Sequence, residues 1–200
     1  MKIHLGCGTV APIGWVNVDS AIGARLSRGV LKPFARRAFS IEWPSNIVIH
    51  DLSKRFPWPE DTADVIYSSH TLEHLSRETG EHFMAECRRV LKPGGILRIV
   101  VPDLKKILDG YQSGSIDARD LITELGAQPP WAGRKKLHQI VAVFSGSHHL
   151  CMYDEKALLA LTTEHGFSCR RMQAFESVID DIRAIEREDR AKGELVIEGV

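Results

Sequence analysis

One feature constrains this chain more than any other: a repeated punctuation. Five short apolar runs each stop on a glycine or a polar residue. Lys2 to Leu5 meets Gly6-Cys7-Gly8, and Trp15 to Val18 ends in Asp19. Asn46 to His50 ends in Asp51, Ala63 to Tyr67 runs into Ser68-Ser69-His70, and Gly95 to Val101 is closed by Pro102-Asp103. Short apolar runs bounded in this way read as buried strands. Between the last two, Phe83, Met84, Cys87, Val90 and Leu91 recur at helical steps, which predicts a helix over Glu78–Leu91. Lys92-Pro93-Gly94-Gly95 stops it. A second helix is expected over Asp154–His165, with Gly166 as its stop. Phe167 to Phe175 and Glu194 to Ile197 read as two late strands joined by a charged helix near Val178–Arg190. Strands alternating with helices imply an α/β fold with a mostly parallel sheet. Ligands of such sheets sit beyond the carboxyl ends of the strands, where this sequence concentrates its glycines and polar residues.

The chain's 200 residues suffice for one sizeable core. We expect a single domain over 1–200, with a basic insert at 21–41 and a second insert at 104–148. Lys plus Arg and Asp plus Glu both number 26, so net charge offers no footprint for nucleic acid. The four cysteines (Cys7, Cys87, Cys151, Cys169) are scattered without a C-x-x-C pair, which argues against a zinc ribbon or a disulfide framework. Reduced thiols and a cytoplasmic location are the expectation. No run approaches the ~20 apolar residues of a membrane span.

His70-Thr71-Leu72-Glu73-His74 spells H-x-x-E-H, the inverted zinc-protease pattern. That reading needs both histidines on one helix face, yet His70 directly follows a predicted strand. The end of a strand beside a ligand site is the better place for it.

Four segments in order resemble the class I S-adenosylmethionine-dependent methyltransferases. They are His4-Leu5-Gly6-Cys7-Gly8, Gly14-Trp15-Val16-Asn17-Val18-Asp19, Leu72-Glu73-His74, and Leu91-Lys92-Pro93-Gly94-Gly95. Together they look like a small bacterial subgroup often met in surface-polysaccharide biosynthesis. The resemblance covers Met1 to Asp103 well and the rest loosely. It implies a Rossmann-like methyltransferase fold: a central, mostly parallel seven-stranded sheet with an antiparallel C-terminal hairpin and helices on both faces. The family usually has an acidic residue where His4 stands and often a third glycine where Val10 stands. Asp19 follows Gly8 by eleven residues. That spacing leaves room only for a shortened or missing first helix.

The resemblance implies binding of S-adenosylmethionine, with S-adenosylhomocysteine as product, at Gly6, Cys7, Gly8, Asp19, Asp51, Leu52, Ser69 and His70. Gly6 and Gly8 would let the main chain pass under the methionyl and ribose portions, where a Cβ would collide. Asp19 would take the ribose hydroxyls, Asp51 the adenine amino group, and Leu52 the ring face. His70 is the first candidate for the base that deprotonates an acceptor hydroxyl, and His149 the second. The expected reaction is O-methylation of a small-molecule or saccharide hydroxyl.

Other readings stay open. One is a module that binds the cofactor without turnover. Another is a metal-dependent enzyme using His70, Glu73 and His74, because some methyltransferases hold a divalent ion through a related E-x-x-E-H segment. His148 or His149 could then complete a His/Glu/His set. A dehydrogenase is disfavoured by the incomplete glycine fingerprint. Arg25, Arg28, Lys32, Arg36 and Arg37, interleaved with apolar residues, suit peripheral contact with an anionic membrane or a second subunit. Tyr111, Trp131, Arg134, Lys135, Lys136 and His138 are available to an acceptor-side cap.

Overall fold

The computed structural model describes residues 1–26, 43–127 and 148–200. Seven strands form one sheet: β1 (Lys2–Leu5), β2 (Trp15–Asp19), β3 (Ile47–Ile49), β4 (Ala63–Ser69), β5 (Leu91–Val101), β6 (Cys169–Met172) and β7 (Leu195–Gly199). Their spatial order is β3-β2-β1-β4-β5-β7-β6. The first five run parallel, with Leu5 opposite both Val18 and Ser68. β7 is antiparallel to both β5 and β6. The expected antiparallel C-terminal pair is therefore present, with β7 as the single reversed strand.

Alternation along the strands gives each face of the sheet its own core. Ile3, Leu5, Ile66, Leu97 and Ile99 pack with Phe83, Met84, Cys87 and Val90 of α2 (Arg77–Val90) and Leu158 of α5 (Glu155–Glu164). On the other face, Trp15, Val65, Tyr67, Val100 and Val196 pack against Ile182 and Ile185 of α6 (Ile182–Ile185) and Ala191 of α7 (Glu188–Ala191). α2 starts where the Ser76 hydroxyl accepts a hydrogen bond from the Thr79 N–H. Its four inward residues are fully buried. Each large one contributes about 1.5–3 kcal/mol by leaving water.

The remaining helices among the described residues are α1 (Ile22–Leu26), α3 (Leu104–Gln112) and α4 (Ala118–Glu124). No helix lies between β1 and β2, as the short spacing predicts. Most of the basic stretch 21–41 lies outside the described residues, as do Trp131, Arg134, Lys135, Lys136 and His138 of the 104–148 segment. None of the described helices is long and apolar enough to cross a membrane.

Three expectations are corrected. The charged helix near Val178–Arg190 is instead two four-residue helices, α6 and α7. Glu186 between them is extended, at φ −80° and ψ 130°. It leaves the helical path to reach a buried arginine, Arg98, at 2.9 Å. The second correction concerns Lys92-Pro93-Gly94-Gly95, which loops out within β5 rather than preceding it. Ala63 pairs with Leu91 but Val65 already pairs with Ile96, and Gly94 takes φ +76°. Third, Asp103 stands at a strand end but has a structural task. Its Oδ1 accepts from the first N–H groups of α3 (Lys105, Lys106), and its Oδ2 accepts from Arg171 at 2.8 Å.

Candidate active site

A cleft of about 470 Å³ opens at the carboxyl ends of β1, β2 and β4. Gly6, Cys7, Gly8, Asp19, Asp51, Leu52, Ser69 and His70 all line it. His149 does not; it lies behind His74, a lining residue, with ring centroids 5.0 Å apart.

The loop after β1 is built by β2. The N–H groups of Gly6 and Cys7 both donate to the Val18 carbonyl at 2.9 Å. The N–H of Gly8 donates to Asp19 Oδ2 at 2.8 Å, and that of Ala21 donates to Oδ1 at 2.7 Å. Asp19 thus ties the loop to the end of β2, and each oxygen keeps a second lone pair for a ligand. The two glycines differ. A Cβ on Gly6, at φ +71°, would fall 1.9 Å from Thr71 Oγ1, so its collision is with the protein itself. A Cβ on Gly8, at φ +54°, would meet nothing within 4 Å. Gly8 is therefore the place where backbone opens onto unfilled space. Asp51 Oδ1 accepts from both the N–H and the hydroxyl of Ser53, at 3.0 and 2.7 Å. Those bonds, hydroxyl first, hold its carboxyl below the usual range. Leu52 beside it is 6 % exposed.

The cleft floor is largely uncharged. Burial pushes the His4 pKa down to about 4, so its imidazole is neutral. Burial, with the Asp19 charge second, pushes the Cys7 thiol up to about 12, which makes it inert. Burial also raises the Tyr67 phenol, whose ring meets His4 edge-on at 5.2 Å. His4 Nδ1 and Ser69 Oγ are buried without a hydrogen-bond partner at this surface.

His70 adopts φ +49°, the left-handed region that non-glycine residues rarely visit. Its N–H donates to Val100 O at 3.0 Å, which holds the turn out of β4. Its Nε2 lies 2.9 Å from Arg190 O, and its Nδ1 lies 3.2 Å from Glu73 Oε1. A carbonyl only accepts, so Nε2 carries the proton. Burial disfavours the charged ring, but the Glu73 carboxylate outweighs it and the His70 pKa is raised.

The H-x-x-E-H letters do not form an α-helical zinc motif. Leu72–His74 is one 3₁₀ turn and His70 precedes it. The ligand atoms that converge, within 4.8 Å of one another, belong instead to Glu73, His74 and His149.

The sequence reading missed Thr71, Leu75, Trp43, Ile185, Arg187 and Arg190 as lining residues. Thr71 lies inside the motif already singled out. Arg187 and Arg190 reach the cleft from more than a hundred residues away along the chain, and no local signal marks them.

Residues 3–99 match the family model described as a methyltransferase domain. A probable methyltransferase, ltbC, of Aspergillus luteorubrus is 31% identical over 106 residues, which are 48% of this chain and 37% of that protein. The chain thus spans well under half the length of that curated relative. A SAM-dependent methyltransferase from Archaeoglobus fulgidus superposes with a TM-score of 0.55 at 15% identity, over 99% of this chain and 84% of that one. A putative methyltransferase, solved in complex with the Haloferax volcanii Trm112 activator, superposes at 0.53 with 15% identity, over 100% and 80% of the two chains. The fold is the Rossmann-like one shared with these methyltransferase structures.

Proposed function

We propose that this chain is an S-adenosylmethionine-dependent methyltransferase that O-methylates a small-molecule or saccharide hydroxyl. The observation that supports it is the convergence of Gly8, Asp19, Asp51, Leu52 and Ser69, from four separate segments, on one cleft at the ligand-binding edge of the sheet. The cleft suits the cofactor. It has open space over the Gly8 backbone, two carboxylates for hydroxyl and amino donors, an apolar surface at Leu52, and buried polar atoms awaiting partners.

When bound, S-adenosylmethionine supplies a sulfonium methyl that an acceptor oxygen displaces in line, with the C–S electron pair leaving on sulfur. The chain's own residues have three tasks. Asp19 holds hydroxyls with the lone pairs its backbone contacts leave over. Asp51 accepts from an amino group through Oδ2, while Ser53 fixes its orientation. His70 takes the acceptor's proton on Nδ1, since Nε2 already donates to the Arg190 carbonyl, and the Glu73 carboxylate faces the imidazolium that forms. His70 does so only when its ring is deprotonated, so in the metal-free chain the raised pKa places the rise of rate with pH above the ordinary 6.5 of histidine. Placement and exclusion of water supply the rest of the rate, since the methyl is already activated.

Calorimetry with S-adenosylhomocysteine tests this on the wild type, Asp19→Ala and Asp19→Asn. The expected result is micromolar binding weakened about ten-fold or more in both variants, a loss of about 1.4 kcal/mol. The Asn variant keeps the side-chain shape and can still accept the Gly8 N–H through its amide oxygen, giving up only the Ala21 bond, so it separates loss of the carboxylate from loss of the Gly8 tie. A folded wild type that does not bind would overturn the proposal.

A further inference from the structure

The buried residue Glu73 is out of place in a site that only has to bind a sulfonium cofactor. Its side chain is 0 % exposed, and among the described residues neither carboxylate oxygen has a hydrogen-bond partner. His70 Nδ1 reaches ion-pair distance of one oxygen without hydrogen-bond alignment. A buried carboxylate in this condition is costly unless a cation or donors complete it. The backbone around it is tightly fixed: the Glu73 carbonyl accepts from Leu150 N at 2.8 Å and Cys151 N at 3.1 Å. Those bonds bring the segment that carries His149 against the Leu72–His74 turn.

The two neighbouring histidines are oriented in the same way. His74 directs Nδ1 to His148 O at 3.1 Å, and His149 directs Nδ1 to Leu125 O at 3.0 Å. A carbonyl fixes Nδ1 as the protonated nitrogen, so in each neutral ring Nε2 carries the lone pair. Backbone carbonyls holding the far nitrogen are what orients histidines that ligate metals. Two imidazoles and a carboxylate thus offer one ligand atom each, all within 4.8 Å of one another.

We infer that Glu73, His74 and His149 bind a single divalent transition-metal ion, of zinc or cobalt type, at the end of the cleft. Two nitrogens and one oxygen suit a four-coordinate zinc-class ion with one position left over. His74 borders the cleft, so the open position faces the side from which an acceptor enters. An acceptor hydroxyl held there becomes more acidic. That consequence rests on the methyltransferase reading; the ion site does not. His70 remains outside the set, with its Nε2 held by Arg190.

The test uses untagged full chain, stripped with chelator and equilibrated with Co²⁺ or Zn²⁺. The expected result is one equivalent retained after gel filtration, with the visible absorption of four-coordinate Co²⁺. His149→Asn and His74→Asn place an amide N–H where Nδ1 was and remove the ligand nitrogen. Each is expected to weaken uptake at least ten-fold while the melting curve stays cooperative. No stoichiometric ion in the wild type, or undiminished uptake in both variants, overturns the inference. S-adenosylhomocysteine binding, measured on the same samples, distinguishes the two readings. If it persists without metal uptake, the ion site alone fails; if it is absent with metal bound, the cofactor reading alone fails.

Discussion

The two flanks of the sheet treat buried charge in opposite ways. On the β5–β7 flank, Arg98 is 0 % exposed and all of its donors are satisfied. Its Nε and one terminal nitrogen fork onto Glu186 at 2.9 Å each; that terminal nitrogen also reaches Gln173 O, and the other one reaches Glu198 Oε2 and Glu176 O. Those are five bonds for five N–H groups. On the β1–β4 flank, His4 Nδ1, Ser68 Oγ, Ser69 Oγ and both oxygens of Glu73 are buried without such partners. A charge whose every bond is internal holds the fold together. Polar atoms left over at a cleft are the mark of something still to be bound.

The largest expected effect breaks the satisfied side. Arg98→Met strands Glu186 and Glu198 without their counter-charge and should cost about 3–5 kcal/mol, read by urea unfolding. A loss below 1 kcal/mol would mean that the network is not the anchor its geometry suggests. The next effect concerns the neutral imidazole at the cleft floor. His4 has a folded-state pKa of about 4 against 6.5 when unfolded, so the unfolded chain takes the proton first as pH falls. Stability should be full above pH 6.5 and reduced by about 3 kcal/mol at pH 4. Melting temperatures of wild type and His4→Gln, followed from pH 7 to 4, isolate this loss, and parallel curves would remove it. The smallest effect sharpens the contrast. Glu73→Gln should change stability by less than about 1.5 kcal/mol, because it forfeits no hydrogen bond and His70, unlike Arg98, can shed its proton. Chemical denaturation of this variant beside Arg98→Met tests the difference directly; equal losses would erase the distinction between the flanks.

Much of the sheet and of the cleft at its carboxyl edge was legible in the sequence. Strand ends are set by local chemistry, and Gly6, Asp19, Asp51 and Ser69 each follow an apolar run that reads correctly by itself. The larger failures are non-local. Val178–Arg190 has helical composition, but nothing near it shows that Glu186 is claimed by Arg98 across the sheet. Asp103 looks like its neighbours at other strand ends until Arg171 and the start of α3 take its oxygens. His149 stands at the end of the 104–148 segment in sequence, yet its neighbours are decided by the backbone bonds of Leu150 and Cys151 to Glu73. The linear pattern reports which residues stop a strand and is silent about which ones meet afterwards.

Glu186 has a consequence for how a ligand gets in. Its immediate neighbours, Ile185 and Arg187, line the cleft, and Arg190 a little further on holds His70 through its carbonyl. This wall is therefore riveted to the middle of the sheet through one carboxylate. It cannot swing without pulling Arg98 apart, and its amides near Glu186 should exchange with solvent only on the timescale of global unfolding. Breathing that admits or releases a ligand must come from another side of the opening. The rigid wall then acts as the ruler against which the position of the reacting groups is set.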